Sequence, residues 1–318
     1  MRVLVTGGTG FVGRAVVQAL AGCGHEVRVL ARRADQPSAR QLAESTGCVL
    51  VPGSILDETA LAAACAGVDA VVHLVGIILE RGPQTFARIH VEGTRRVVEA
   101  CRTAGVRRLL HMSAIGTRPH AVSPYHRTKW QGECAVRESG LDWTIFRPAV
   151  IYGPGDGFCR VLALGMKPPL RWLSLGLQPM VGEGDVLIQP VRVDEVAGAF
   201  ARALEVPAAS GATYELGGPA LPFKDLLHCL AAAHGTRIHP VPVPRELAYA
   251  GAALIEWLSP WKIPTPGHLA MLEEDQRVDA SPALRDLGFD PRPFARGLDY
   301  LQCGGAEQRQ PGARSGRG

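Results

Sequence analysis

Along the first half of the chain, short continuous apolar runs alternate with longer stretches whose apolar positions recur at helical spacing. RVLVT (Arg2–Thr6), EVRVLA, GCVLVPG, DAVVHLV, VRRLLHMS and WTIFRP are predicted strands. Between them, Gly13–Ala21, Asp57–Ala66, His90–Ala104 and Tyr125–Ser139 are predicted helices, with Asp57 as an N-cap. Strands that are apolar throughout have both faces covered. Their alternation with helices predicts an α/β fold with a doubly wound parallel sheet.

After Pro148 the texture changes. Proline and glycine multiply through residues 153–190, and apolar pieces such as LRWLSLGL sit in irregular context. This predicts a smaller C-terminal α/β cap, made mostly of loops and helices and partly interleaved with the sheet. The expected division is 1–150 for the sheet domain, 151–300 for the cap, and 301–318 for a tail. That tail, rich in glycine and arginine, has almost nothing to bury and is expected to be disordered. No internal repeat is visible.

With 47% hydrophobic and 20% charged residues, the 318-residue chain can bury a sizeable core. The net charge of +4 is spread along the chain, which argues against nucleic acid as a partner. Eight cysteines are scattered singly, without CxxC or zinc spacing, so buried reduced thiols and no metal are expected. Neither a secretory signal nor an apolar run long enough to span a membrane is seen, which makes the cytoplasm the expected location.

The chemistry begins at the end of the first strand. In TGGTGFVG, Gly7, Gly10 and Gly13 follow an apolar run and precede a helical pattern. The first glycine permits a tight turn, the second lets backbone approach a pyrophosphate, and the third lets helix pack on strand. The helix N-terminus then offers unpaired N–H groups to phosphates. This context predicts a dinucleotide site.

An acidic residue at the end of the second strand would bond the ribose hydroxyls of NAD. Here EVRVLARRAD places Arg32 and Arg33 there, with Arg14 just past the third glycine. A guanidinium suits a 2′-phosphate, so NADP(H) is favoured over NAD(H).

SPYHRTKWQGE places Tyr125 and Lys129 four residues apart, on one face of a predicted helix. A free phenol is too weakly acidic to serve as a base at neutral pH. A nearby ammonium and an oxidised nicotinamide ring would favour the phenolate, and the lysine could also hold ribose hydroxyls.

Taken together, the glycine loop, MSAIG after the fifth strand and Tyr-x-x-x-Lys resemble the short-chain dehydrogenase/reductase superfamily. TGGxGxxG places the likeness with its extended and atypical, NAD-dependent epimerase/dehydratase-like branches, which have a Rossmann-type fold. HLVG, HVEGT, RPAVIYGPGD, PVRVDEVAGAF and TYELGGPALPFKDLL extend the likeness over roughly residues 1–230. Within these branches the chain is most similar to the group named for the nucleotide-binding accessory subunit of respiratory complex I.

The resemblance implies that Thr9, Phe11 and Val12 line the pyrophosphate with Gly7, Gly10 and Gly13, and that Arg32 contacts the ribose phosphate. Ser54 and Ile55 would lie by the adenine, and Leu74, Val75 and Gly76 under the adenosine ribose. Tyr125 would be the acid/base with Lys129 as its partner, and Pro148, Ala149 and Val150 would approach the nicotinamide.

Three positions depart from the family pattern. In HMSAIG, Ser113 takes the place of the first serine and Ala114 that of the catalytic second one, leaving Ser113 or Thr117 to substitute. His90 stands where relatives often have an asparagine, and RPAVIYG lacks the asparagine common in sugar-nucleotide epimerases.

Further candidates have competing structural readings. His73 and His111 near strand ends are expected to be satisfied packing residues, and Asp156 and Asp194 are read as caps or cleft residues. LALGMKPPLRWLSLGLQPM could be a lid or an apolar surface, and RELAYAGAALIEWLSPW an amphipathic docking helix or core. Two functions follow. One is an NADP(H)-dependent oxidoreductase or epimerase acting on a small carbonyl or alcohol. The other is a non-catalytic NADPH-binding accessory subunit of a complex-I-like assembly, peripheral to a membrane.

Overall fold

The structure, a computed structural model, describes residues 1–167, 169–258 and 277–303. The six apolar runs form strands β1 (Arg2–Thr6), β2 (Glu26–Ala31), β3 (Val49–Pro52), β4 (Ala70–His73), β5 (Arg108–Met112) and β6 (Asp142–Pro148). Later in the chain come β7 (Ile151–Tyr152), β8 (Leu177–Val181), β9 (Leu187–Ile188), β10 (Val191–Arg192), β11 (Ala212–Leu216), β12 (Leu221–Pro222) and β13 (His239–Val243). The main sheet is parallel and seven-stranded, in the order β11-β6-β5-β4-β1-β2-β3.

Successive side chains of a strand point to opposite faces, and each face has its own helical layer. Val3 and Val5 of β1 join Val29, Leu110 and Phe146 under helices α1 (Phe11–Gly22) and α2 (Pro37–Thr46). Leu4 points the other way, with Val71, Leu109 and Ile145, toward α3 (Glu58–Cys65), α4 (Gly93–Thr103) and α5 (Pro124–Arg137). Full burial of each such aliphatic side chain is worth roughly 1.5–3 kcal/mol. The two covered faces explain why β1 and β4 to β6 are apolar at their central positions, whereas edge strand β3 leaves Val49 exposed.

Strand order reverses between β1 and β4, which opens a crevice at the carboxyl edge. Register sets Thr6 beside His73 and His73 beside His111, so the segments leaving β1, β4 and β5 emerge as neighbours.

Two elements differ from expectation. Helix α2 was not legible, since only Ala39 and Leu42 are buried along it. Pro37 begins it, and Gly47 caps it in the left-handed conformation at φ 71°. The helix expected from His90 begins at Ala87 as a π-helical stretch, Ala87–Glu92, before continuing as α4. There α5 presses close: a Cβ on Gly132 would lie 2.6 Å from the His90 carbonyl oxygen, which instead accepts the Thr94 hydroxyl at 2.7 Å.

Beyond Pro148 the chain forms α6 (Phe158–Leu162), α7 (Leu170–Leu173), α8 (Val193–Glu205), α9 (Phe223–Ala233) and α10 (Arg245–Leu258). The cap is more than loops and helices: it has three two-stranded ribbons, β7 with β10, β8 with β13 and β9 with β12. Its core gathers Tyr152, Met166, Leu226, Leu230 and Phe294. Strand β11 rejoins the main sheet beside β6, and α8 supplies Val196 and Phe200 to the core under α1.

Among the described cysteines, Cys48, Cys65, Cys101 and Cys159 are buried and free, while Cys134 and Cys229 are partly exposed. Cys23 is exposed because it caps the C-terminus of α1. The end of RELAYAGAALIEWLSPW and the tail beyond residue 303 lie outside the described residues. Among the described residues, no helix is long and apolar enough to cross a membrane.

Candidate active site

The glycine loop is built by contacts that no side chain would allow. Gly7 adopts φ +79°, and its carbonyl accepts the Gly10 N–H at 3.0 Å. The Gly10 carbonyl accepts Arg14 N–H at 3.0 Å and starts α1. A Cβ on Gly13 would come within 2.0 Å of the Gly7 oxygen, and one on Gly7 within 3.1 Å of the Val75 nitrogen. Loop, helix and the segment leaving β4 therefore meet backbone to backbone. No side chain caps α1, and its first turn holds no acidic residue. Its leading N–H groups and positive dipole end are left for an anion, a cradle that fits a dinucleotide's pyrophosphate against Gly7, Thr9, Gly10, Phe11, Val12 and Gly13.

On the adenosine side, Arg32 and Arg33 are exposed at the end of β2, and Arg32 has no protein partner among the described residues. Arg14 instead braces the loop, its Nε donating to Thr9 O at 3.2 Å. The Ser54 hydroxyl accepts Leu56 N–H at 3.2 Å, and buried Ile55 packs against Gly93. Leu74 is buried, Val75 partly so, and Gly76 is open to solvent.

Lys129 is 3% exposed, and its Nζ donates to the Met112 carbonyl at 2.8 Å. A Cβ on Gly76 would lie 3.1 Å from that Nζ, so the strand exit beside the glycine loop and the lysine of α5 are in contact. Burial pulls the ammonium down to about 8, and Glu133 one turn on opposes the shift. Glu133 is fully buried between two guanidiniums, Arg147 at 2.7 Å and Arg137 at 3.1 Å.

Tyr125 lies one turn before Lys129, half-buried, with its ring edge-on to His90 at 5.4 Å and to Phe86 at 5.9 Å. Burial pushes its phenol up to about 12. The phenolate expected from a nearby ammonium is therefore not favoured by the chain alone: the cost of desolvating the anion dominates, and Lys129 donates to backbone instead.

Pro148, Ala149 and Val150 are pinned where β6 ends. The Pro148 carbonyl accepts Ile115 N–H at 3.0 Å, Ala149 N–H donates to Leu216 O at 2.8 Å, and the Val150 carbonyl accepts Val191 N–H at 2.9 Å. Ser113 is buried and donates to the Thr117 hydroxyl at 3.3 Å, while the partly exposed neighbouring position is the methyl of Ala114.

Beneath this surface lies a histidine cluster whose proton positions follow from its partners. His90 Nε2 accepts Ile77 N–H at 3.1 Å, so the proton sits on Nδ1, which donates to Thr128 Oγ1 at 3.0 Å. Thr128 in turn donates to the backbone carbonyls of Pro124 and Tyr125. The Thr94 hydroxyl already donates to His90 O and therefore accepts from His73 Nε2 at 3.2 Å. That leaves His73 Nδ1 to accept Thr6 Oγ1 at 2.7 Å. Burial, with Lys129 nearby, holds His73 and His90 down to about 3.

His73 is thus satisfied, as expected. His111, stacked on it at 5.2 Å, is not: neither of its ring nitrogens has a hydrogen-bond partner. Asp156 is a structural cap, accepting Gly153 and Cys159 N–H groups and the Tyr300 hydroxyl. Asp194, in the first turn of α8, pairs with Arg192 and Arg292.

The model of the NAD dependent epimerase/dehydratase family matches residues 3–217. The chain belongs to that family. It is 29% identical to 2-alkyl-3-oxoalkanoate reductase of Stenotrophomonas maltophilia, over 96% of this chain and all of that protein. A 39% identity to ceramide reductase of Caulobacter vibrioides is confined to 48% of this chain and 47% of that protein. The mitochondrial NADH dehydrogenase [ubiquinone] 1 alpha subcomplex subunit 9 of Rattus norvegicus is 29% identical over 91% of this chain and 76% of its own length. Among solved structures, DesIV, a dTDP-glucose 4,6-dehydratase of Streptomyces venezuelae with NAD and TYD bound, superposes with a TM-score of 0.70. It is 25% identical, over 95% of this chain and 96% of that one.

Members of this epimerase/dehydratase family bind an NAD(P) nucleotide, which agrees with the cradle at Gly7–Gly13. Residues that motif reading missed support the family's surface from below: Thr6, Thr94, Thr128, the Met112 carbonyl and Glu133. Three left a trace in sequence: Thr94 and Glu133 follow His90 and Lys129 at i,i+4 spacing, and Thr128 follows Tyr125 at i,i+3.

Proposed function

We propose that this chain is an NADP(H)-dependent reductase of ketones carried on alkyl chains, with Tyr125 as proton donor and Lys129 holding the cofactor's ribose. The observation that carries this reading is the contact of Lys129 Nζ with Gly76 and the Met112 carbonyl, one helical turn from Tyr125 and beside the glycine cradle. When bound, the reduced nicotinamide supplies hydride to the carbonyl carbon. Tyr125 Oη gives its proton to the carbonyl oxygen; a phenol held protonated by burial suits this direction better than proton abstraction. Lys129, with its ammonium near 8, can exchange the Met112 carbonyl for ribose hydroxyls without leaving its place. Exposed Arg32, with no protein partner among the described residues and no carboxylate at the end of β2, supports the 2′-phosphate and hence NADP(H). The alkyl-chain substrate rests on the printed names of the two reductase relatives.

The test is NADPH oxidation by the purified chain over a panel of alkyl ketones and 3-oxo acids. Tyr125→Phe is expected to lower kcat by at least about 10²-fold while leaving NADPH affinity within a few-fold. Unchanged turnover in Tyr125→Phe refutes the proton-donor role. A second reading, an NADPH-holding accessory subunit, draws on Ala114 in place of the second serine and on the likeness to the subunit 9 protein. Purified chain that retains nucleotide through dialysis and turns over no carbonyl supports it.

A further inference from the structure

The cap carries a surface that the cofactor site does not use. Leu175 is 82% exposed, Trp172 67% and Leu164 55%, with Leu177 and Val241 also exposed. They lie on adjoining segments. The turn after α7 closes when Gly176 N–H donates to Arg171 O and Leu177 N–H to Ser174 O. In the β8–β13 ribbon, register sets Leu177 beside His239 and Pro179 beside Val241, all four exposed, while Met180 turns inward. No residue of this surface belongs to the glycine loop, β4 or α5.

Two observations say what such a surface meets. The first is charge. Between Gly157 and Gly182 there is no Asp or Glu, and none between Gly235 and Arg245, while Arg160, Lys167, Arg171 and Arg237 fall in those stretches. None of these four has a carboxylate partner among the described residues. The second is strain. Leu175 is the only non-glycine residue with positive φ among those described, at 53°. A branched side chain pays to sit there, and here it is held outward at the tip of the turn. Water does not reward the exposure of a leucine that this strained turn holds outward; an apolar phase does, and that gain offsets the cost of the turn.

We infer that this cap face docks on the surface of an anionic lipid bilayer. Trp172, Leu175 and Leu177 enter the headgroup boundary, and Lys167, Arg171 and Arg237 meet the lipid phosphates. Each cation near an anionic surface contributes about a fivefold gain in affinity, so three engaged cations give about a hundredfold.

The experiment is flotation of the full chain with vesicles of phosphatidylcholine alone, or with phosphatidylglycerol replacing about a third of it. About a hundredfold preference for the anionic vesicles is expected, weakening as salt is raised. Leu175→Gly relieves the strained φ. It is expected to raise thermal stability, leave NADPH binding unchanged, and weaken vesicle binding by roughly tenfold or more through the lost leucine. Because NADPH binding and turnover are read on the same samples, failure of this inference and failure of the reductase reading are distinguishable. Equal flotation with both vesicle types, flotation with neither, or identical flotation of Leu175→Gly overturns the inference. So does a concentration-dependent dimer that Leu175→Gly dissolves, which assigns the face to a second copy of the chain.

Discussion

An alanine series through the first helix tests whether the glycine cradle is held by close approach. A Cβ added at Gly13 would sit 2.0 Å from the Gly7 oxygen and 2.7 Å from Gly8 Cα, both backbone atoms that no rotamer change can move aside. To restore ordinary contact at about 3.4 Å, loop and helix must separate by more than about 1 Å; overpacking of this kind costs roughly 1–3 kcal/mol. The same displacement takes N–H groups away from the pyrophosphate. Losing about two charge-assisted hydrogen bonds, each worth roughly 1.5 kcal/mol, weakens cofactor binding about a hundredfold. At Gly10 a Cβ would meet only the Gly7 oxygen, at 3.3 Å, so Gly10→Ala is expected to cost less than about tenfold. At Gly22, in the last turn of the same helix, a Cβ meets nothing within 4 Å. Gly22→Ala should stabilise by about 0.5–1 kcal/mol without touching the cofactor. Thermal melting with calorimetric titration of NADPH reads all three. A Gly13→Ala protein that melts no lower and binds as tightly as the parent refutes the close-approach argument.

Other outcomes follow from the buried charges. Lys129 titrates near 8 in the fold against 10.5 in the unfolded chain, so the unfolded state holds more protons between those values. The stability of the parent relative to Lys129→Met should therefore rise with pH from about 8 to 10.5, by up to about 3 kcal/mol, as read by urea midpoints of the cofactor-free chain. His73 and His90, held near 3 against 6.5, act in the acid range: stability should fall as pH drops from 6.5 toward 3, and His90→Asn should flatten that decline. Glu133→Gln leaves Arg147 and Arg137 beside a neutral buried amide and should cost roughly 3–5 kcal/mol in denaturant melts, whereas Glu133→Leu with Arg147→Met should recover much of it.

What could be read in advance was whatever depends on neighbours in sequence. Short apolar runs marked the first six strands because the central ones are buried on both faces at their middle positions. Asp57 caps its helix as expected, accepting the Ala60 N–H at 3.1 Å, because a cap needs only the next turn. Gly7, Gly10 and Gly13 announced the cradle because a backbone that must approach backbone can be built only without Cβ. Tyr125 and Lys129 share a face through helical period alone.

What depends on distant partners stayed hidden. The proton states of His73 and His90 are set by Thr6, Thr94, Thr128 and the Ile77 N–H, up to 67 residues away. The phenol's high pKa reverses a local argument about an adjacent ammonium, because desolvation is a property of the packed site and not of i,i+4 spacing. Four of the cap's ribbon strands have only two residues, too short to show a period, and the other two, LQPMV and HPVPV, are interrupted by proline. By itself, the order of apolar and glycine positions determined a parallel sheet with a phosphate cradle, since both follow from periodicity and the absence of side chains. Only the folded chain decided where Lys129 donates, which imidazole nitrogens carry protons, and that Leu175 stands strained and exposed on the cap. Those are consequences of burial and of contacts between segments far apart in sequence, which no local pattern encodes.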